Sequence, residues 1–164
     1  MKALVTYYSD TGNTEKLAHA IYEEIHFEKE IRPLSDVQSA DGYDIIFCGF
    51  PVQAQSLPRK AQDFIKSLPA GQKVAFFSTH GSLRGGHLPR QAFEHALGLA
   101  AKSAVLGHFG CRGEVRQNII DALLKKPEHR AWAEEAMGAA GHPDAQDLAD
   151  GKTFAKEILA RLSR

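Results

Sequence analysis

Residues 9 to 14 read Ser-Asp-Thr-Gly-Asn-Thr, five hydroxyl, carboxyl or amide side chains around one glycine. The run joins the apolar segment Ala3–Tyr8 to a helical pattern that begins near Thr14, with Leu17, Ile21 and Ile25 spaced four apart. The first N–H groups of a helix have no partner inside it, and the helix dipole adds partial positive charge there. Together with hydroxyl and amide donors, such a terminus is an anion site, and a phosphate suits it best. Ser9, Asp10, Thr11, Gly12, Asn13 and Thr14 are therefore the first candidate binding residues. The same residue types are the preferred helix caps, so a well-capped turn is the competing reading. The run contains no Lys or Arg, and neither GxGxxG nor GxxxxGK[ST] occurs in the chain, which argues against a dinucleotide fold and a P-loop nucleotidase.

A second glycine-rich stretch, His80-Gly81-Ser82-Leu83-Arg84-Gly85-Gly86-His87, follows the apolar run Val74–Ser78. Its glycines permit close backbone approach to a ligand. His80 or His87 could donate to a bound ring or move a proton, or could simply be solvated. Arg84, Arg90 and Arg112 could border a cleft and attract an anion, surface solvation being the alternative. Cys48 reads as core packing. Cys111 stands beside Arg112, which would favour its thiolate, but no resolving cysteine is near in sequence and a structural role is expected. The histidines show no HxH or HxxxH spacing, so no metal site is expected.

The elements that must position these residues alternate. Ala3–Tyr8, Asp44–Phe50, Val74–Ser78 and Ala104–Phe109 are short apolar runs of the kind buried on both faces, and Phe27–Leu34 is a weaker strand that Pro33 suits to an edge. Helical stripes separate them: Ala61, Phe64, Ile65 and Leu68 after Pro58; Phe93, Leu97 and Ala101; and finally Phe154, Ile158 and Leu162. This alternation predicts an α/β fold with a parallel sheet and helices on both faces, in a single domain spanning residues 1–164. Ligands in such sheets bind at the carboxyl ends of the strands, so the loops after Tyr8, Phe50 and Ser78 converge on the expected site. Residues 111–150 exceed a short connection. Val115, Ile119 and Leu123 make one helical stripe there, and Ala133, Ala136, Met137 and Ala140 another around Trp132. The stretch is expected to be a helical insertion, either a hairpin covering one end of the sheet or a lid or partner surface beside the ligand.

At this point the residues resemble a family, the flavodoxins and flavodoxin-like proteins. Val5, Tyr7, Ser9, Gly12, Thr14, Ala18 and Ile21 meet the family's strand–loop–helix signature, while Thr6 lies where an apolar or aromatic residue is usual. The similarity continues through Gly49–Val52, Leu57-Pro58, Phe76–Gly81, Phe109–Gly113 and His142–Asp144. It implies a three-layer doubly wound sheet of five parallel strands in the order 2-1-3-4-5. It also implies FMN, with the phosphate in Ser9–Thr14 and the ring flanked by Pro51, Val52, Gln53 and Ala54 on one side and Thr79, His80, Gly81 and Gly86 on the other. The implied role is electron transfer with a redox partner protein. The alternatives are an FMN-dependent oxidoreductase acting on a quinone, a porphyrinogen-like molecule or another small-molecule electron acceptor, and a binding module that has lost FMN.

Three departures bear on that role. Val52–Gln55 and Thr79–His87 contain no aromatic residue to stack on a flavin, and no glycine lies between Pro51 and Arg59 to permit the peptide flip that the family uses toward the reduced ring. Carriers of the family tend to be acidic, whereas here 20 basic residues balance 20 acidic ones, eight against ten up to Ser82 and twelve against ten after it. The even balance also gives no basic field for nucleic acid. Two cysteines without a CxxC, no signal-peptide pattern and no membrane-spanning run lead to the expectation of a reduced, cytoplasmic protein.

Overall fold

A computed structural model describes residues 1–53 and 56–164. Five strands, β1 (Lys2–Tyr7), β2 (Glu28–Pro33), β3 (Ile45–Pro51), β4 (Lys73–His80) and β5 (Ala104–Arg112), form one parallel sheet in the order β2-β1-β3-β4-β5. The helices are α1 (Asn13–Glu23), α2 (Arg59–Ser67), α3 (His87–Leu99), α4 (Gln117–Leu124), α5 (Arg130–Met137) and α6 (Ala145–Leu162). The parallel sheet with helices on both faces is what the alternation predicts, and the strand order is the one that the resemblance to flavodoxins implies. After β1 the chain steps outward to β2 and then returns to the other side as β3. The switch of direction opens a crevice beyond the carboxyl ends of β1 and β3.

The two faces of the sheet carry separate cores because strand side chains alternate. Ala3, Val5 and Phe47 pack with Leu17, Ile21, Phe154 and Ile158 beneath α1 and α6. Leu4, Ile46, Cys48 and Phe50 pack with Ala61, Ile65 and Ala96 beneath α2 and α3. β2 is an edge strand and half exposed, as Pro33 suggests. Thr6 is fully buried on the face of the second core, and its hydroxyl has no hydrogen-bond partner among the described residues.

Four details differ from the sequence reading. The inward stripe of α3 is Pro89, Ala92 and Ala96, while Leu97 is 38% exposed and Ala101 lies beyond the helix in solvent. Small residues let the helix approach the sheet closely, so bulk misidentifies the buried face. β4 and β5 run on to His80 and Arg112, past the expected ends at Ser78 and Phe109, because Thr79 and His80 pair with Cys111 and Arg112. In the insertion the small core is Ile120, Ala133 and Ala136, with Val115 and Leu123 against it. Ile119, Trp132 and Met137 are exposed. Finally, α6 begins at Ala145 and β5 ends at Arg112, so residues 113–144 form the connection expected over 111–150.

Candidate functional site

The loop from β1 to α1 turns at Gly12, which caps the helix at φ +91°. That conformation suits glycine because it has no Cβ. Ser9 Oγ accepts the Gly12 N–H at 3.1 Å, curling the loop over the helix terminus. The N–H groups of Asn13, Thr14 and Glu15 lie in the first turn, where no intrahelical acceptor exists. Thr14 is buried, and its Oγ1 lies 2.8 Å from Thr79 Oγ1 at the end of β4. The hydroxyl-rich loop is thereby fixed against the sheet.

A cavity of about 150 Å³ opens here. Ser9, Asp10, Thr11, Asn13 and Thr14 line one side, while Pro51 and Val52 from the end of β3 and Thr79, His80 and Gly81 from the end of β4 line another. The structure thus brings together three loops that are far apart in sequence. Gln53 does not line the cavity; its amide donates to Asp10 Oδ2 at 3.3 Å. Gly86 does not border it either, since it caps α3 and donates to the Leu83 carbonyl. Ala54 and Gln55 lie outside the described residues. The nearby Asp10 carboxylate holds the Tyr8 phenol above its ordinary range.

The fourth wall was not legible in the sequence. Gly113, Glu114, Val115, Arg116 and Ile119 close the cavity from the segment after β5. Asn13 Nδ2 donates to the Glu114 carbonyl at 3.0 Å, and a Cβ at Gly113 would fall 2.8 Å from that same nitrogen, so a larger residue there would displace the Asn13 side chain. Arg116 Nη2 donates to the Asp10 carbonyl at 3.3 Å. Val115 occupies the space beside Gly81 that a side chain there would need. Arg112, for which the sequence left a cleft rim or surface solvation open, instead secures the insertion by donating to the Gly81 carbonyl at 3.1 Å and to the Glu135 carbonyl.

His80 stands between this cavity and a larger one of about 640 Å³, walled by α3 and β5. Its Nδ1 contacts the Ser82 carbonyl at 2.9 Å. A carbonyl only accepts, so Nδ1 carries the proton and Nε2 is left as a buried acceptor without a partner among the described residues. Burial holds the imidazole below its ordinary pKa and keeps it neutral near pH 7. The larger cavity is mainly aromatic and aliphatic. Phe93 stacks on His108 with centroids 3.5 Å apart, and Arg84 lies over Phe109 while pairing with Asp150 at 2.7 Å. Arg90 also lines it.

The thiols take no part. Cys48 and Cys111 are buried in strands, and desolvation pushes both up to about 12. His142, Asp144 and Asp147 bring one ligand atom each within 4.8 Å of the others. Their polar atoms are already used in the cap of α6, where Asp144 Oδ1 accepts the Asp147 N–H, Asp147 Oδ2 accepts the Asp144 N–H and His142 Nδ1 lies 2.6 Å from Asp147 Oδ2. Among the described residues no helix is long and apolar enough to cross a membrane.

Comparison with known proteins agrees with the fold. The flavodoxin-like domain-containing protein BilS of Clostridioides difficile (strain CD3) is 27% identical over 175 residues, covering 99% of both chains. Oxidised flavodoxin 2 from Bacillus cereus superposes with a TM-score of 0.67 at 19% identity, over 98% of this chain and 99% of that one. A flavoprotein from Lactobacillus acidophilus NCFM, solved in complex with FMN, superposes with a TM-score of 0.55 at 21% identity, over 66% of this chain and 92% of that one. The family model described as "Flavodoxin domain" matches residues 4–156, and the chain belongs to that family.

Proposed function

We propose that this chain binds FMN and uses it to pass electrons, with the phosphate held by Ser9, Thr11, Asn13 and Thr14 and the ring beside Pro51, Val52, Thr79 and Gly81. The observation that carries the reading is the cradle itself. A positive-φ glycine, a curled loop, free first-turn N–H groups and four polar side chains converge at the carboxyl edge of the sheet. The FMN complex of the Lactobacillus flavoprotein, a chain of similar fold, supports the choice of cofactor. The donor set fits a phosphate ester: neutral hydroxyls, an amide and backbone N–H groups, with Thr14 already oriented by Thr79. When bound, the flavin would supply the electron-accepting and electron-donating ring. The protein's own part is to fix the phosphate, to keep water from the ring with Val52, Val115 and Ile119, and to hold a neutral His80 nearby. Titration of the flavin-free chain with FMN, followed by quenching of flavin fluorescence, tests the proposal. Stoichiometric binding is expected, and absence of binding at micromolar protein overturns it.

A second reading, an FMN-dependent oxidoreductase acting on a small acceptor, is favoured by the larger cavity. A space of about 640 Å³ lined by Phe93, Phe109 and Leu97 with Arg84 and Arg90 at hand suits an organic molecule, and His80 links it to the phosphate cavity. NAD(P)H-driven turnover of quinones by the FMN-loaded chain would select this reading. A chain that exchanges electrons only with another protein would select the carrier.

A further inference from the structure

The cradle has a charge problem that its own loop does not solve. A phosphate monoester carries close to two negative charges near pH 7, since its second pKa is about 6. Ser9–Thr14 contains no Lys or Arg, and Asp10 adds a carboxylate of its own. The helix terminus offers only about half a positive charge. Of the residues that line the cavity, His80 is held neutral and Asp10 and Glu114 are acidic, which leaves Arg116 as the cation.

Arg116 is placed there by long-range structure. The β5 strand ends at Arg112, Gly113 then passes against Asn13, and the Asn13 amide holds the Glu114 carbonyl. Arg116 is the residue that caps α4, and its guanidinium reaches back to the Asp10 carbonyl. That contact uses one donor of five, so the fork keeps donors for a ligand. Among the described residues the ion pairs made by arginine are those of Arg32, Arg59, Arg84 and Arg130; Arg116 enters none of them.

We propose that Arg116 is the counter-charge of the cofactor phosphate, contributed by the insertion to a cradle otherwise built from neutral donors. It makes the site select a flavin phosphate dianion over the unphosphorylated flavin. This inference rests on the proposed FMN binding and goes further by naming the group that reads the phosphate's charge. It also gives the insertion a role: residues 113–116 form part of the binding wall, and the helices α4 and α5 hold that wall in place through Arg112 and the small core around Ile120.

The test is a comparison of FMN with riboflavin, which lacks only the phosphate. Both are titrated into the flavin-free full chain and followed by fluorescence quenching, at low and high salt and from about pH 5 to pH 8. FMN affinity should fall with salt and rise as the phosphate loses its second proton, whereas riboflavin affinity should respond to neither. In Arg116→Gln the FMN affinity should drop about ten- to hundredfold, the range expected for a charge-assisted contact, with riboflavin unchanged. Arg116→Lys should restore part of the loss and the salt dependence. Equal losses for FMN and riboflavin would show that Arg116 only props the insertion, and an unchanged FMN affinity would show that it is merely solvated. Either result overturns this inference and leaves FMN binding intact. Failure of the unmodified chain to bind either flavin overturns both.

Discussion

The hydroxyls of Thr14 and Thr79 lie 2.8 Å apart although 65 residues separate them in the chain. Both side chains are buried, so each satisfies the other's polar atom, and the first turn of α1 is fixed to the end of β4. The cradle and the second wall of the cavity are thereby locked in register. Thr79→Val should cost about 1–3 kcal/mol, because it leaves the Thr14 hydroxyl buried without a partner. The double variant with Thr14→Val should cost less than the two single losses added. Urea unfolding of the four proteins measures this, and strict additivity would show that the two hydroxyls do not interact.

Thr6 presents the opposite situation. It is fully buried on β1, and its Oγ1 has no partner among the described residues. The position is one where the family usually places an apolar or aromatic residue, and the second core surrounds it with apolar atoms. Thr6→Val keeps the shape and removes the stranded polar group, so stability should rise by about 1 kcal/mol. A loss of stability would mean that the hydroxyl is satisfied after all. The midpoint of urea unfolding decides it.

What was legible in the sequence was local. Ser9–Thr14 is a contiguous loop between a strand and a helix, so residue type and order alone raise an anion site or a well-capped turn there, and the strand–helix alternation implies the sheet that positions the loop. What was not legible depends on distant packing. Nothing in the spacing of Val115 and Arg116 says that they close the cavity; that follows from contacts of Asn13 with Gly113 and Glu114 about one hundred residues away, the separation being 101 for the hydrogen-bonded pair. The buried face of α3 is hard to read from sequence because Ala92 and Ala96 contribute little apolar bulk, although both are fully buried. The sequence does not show that β5 runs past Phe109, because Gly110 has weak strand propensity, yet its pairing with Ser78 continues the ladder.

Arg112 offers a test of how the insertion is held. Its guanidinium joins the Gly81 carbonyl, in the loop after β4, to the Glu135 carbonyl near the end of α5. The small core of Ile120, Ala133 and Ala136 provides limited apolar burial by itself. Arg112→Gln should therefore loosen α4 and α5 while the main sheet stays protected, since local opening follows local contacts. Amide hydrogen exchange should accelerate at least tenfold in residues 117–137 and change little in β3 and β4. Uniform acceleration across the chain would show instead that Arg112 supports the whole fold.

Two imidazoles, His80 and His108, are held below their ordinary pKa by burial, and both make stability fall with acidification below pH 6.5; His80 is the more deeply buried. The His80 side chain is 4% exposed, and desolvation holds its pKa below the ordinary value of 6.5, with the positive charges of Arg112 and Arg84 acting in the same direction. The folded protein keeps the imidazole neutral while the unfolded chain binds a proton once the pH falls below 6.5. The unfolded state then holds more protons, so stability declines with acidification in that window, by at most about 1.4 kcal/mol per pH unit for this one group. Glu23, Glu30, Asp144 and Asp150 have depressed carboxyl pKa values and contribute stability that disappears only at lower pH, below ordinary values of 4.5 and 3.8. The two windows are therefore separable. Urea unfolding from about pH 7.5 down to pH 5 should show a decline that His80→Gln makes shallower. An equal slope in both proteins would mean that the imidazole is not held neutral by its surroundings, and the Nε2 lone pair would not be available as a hydrogen-bond acceptor between the two cavities.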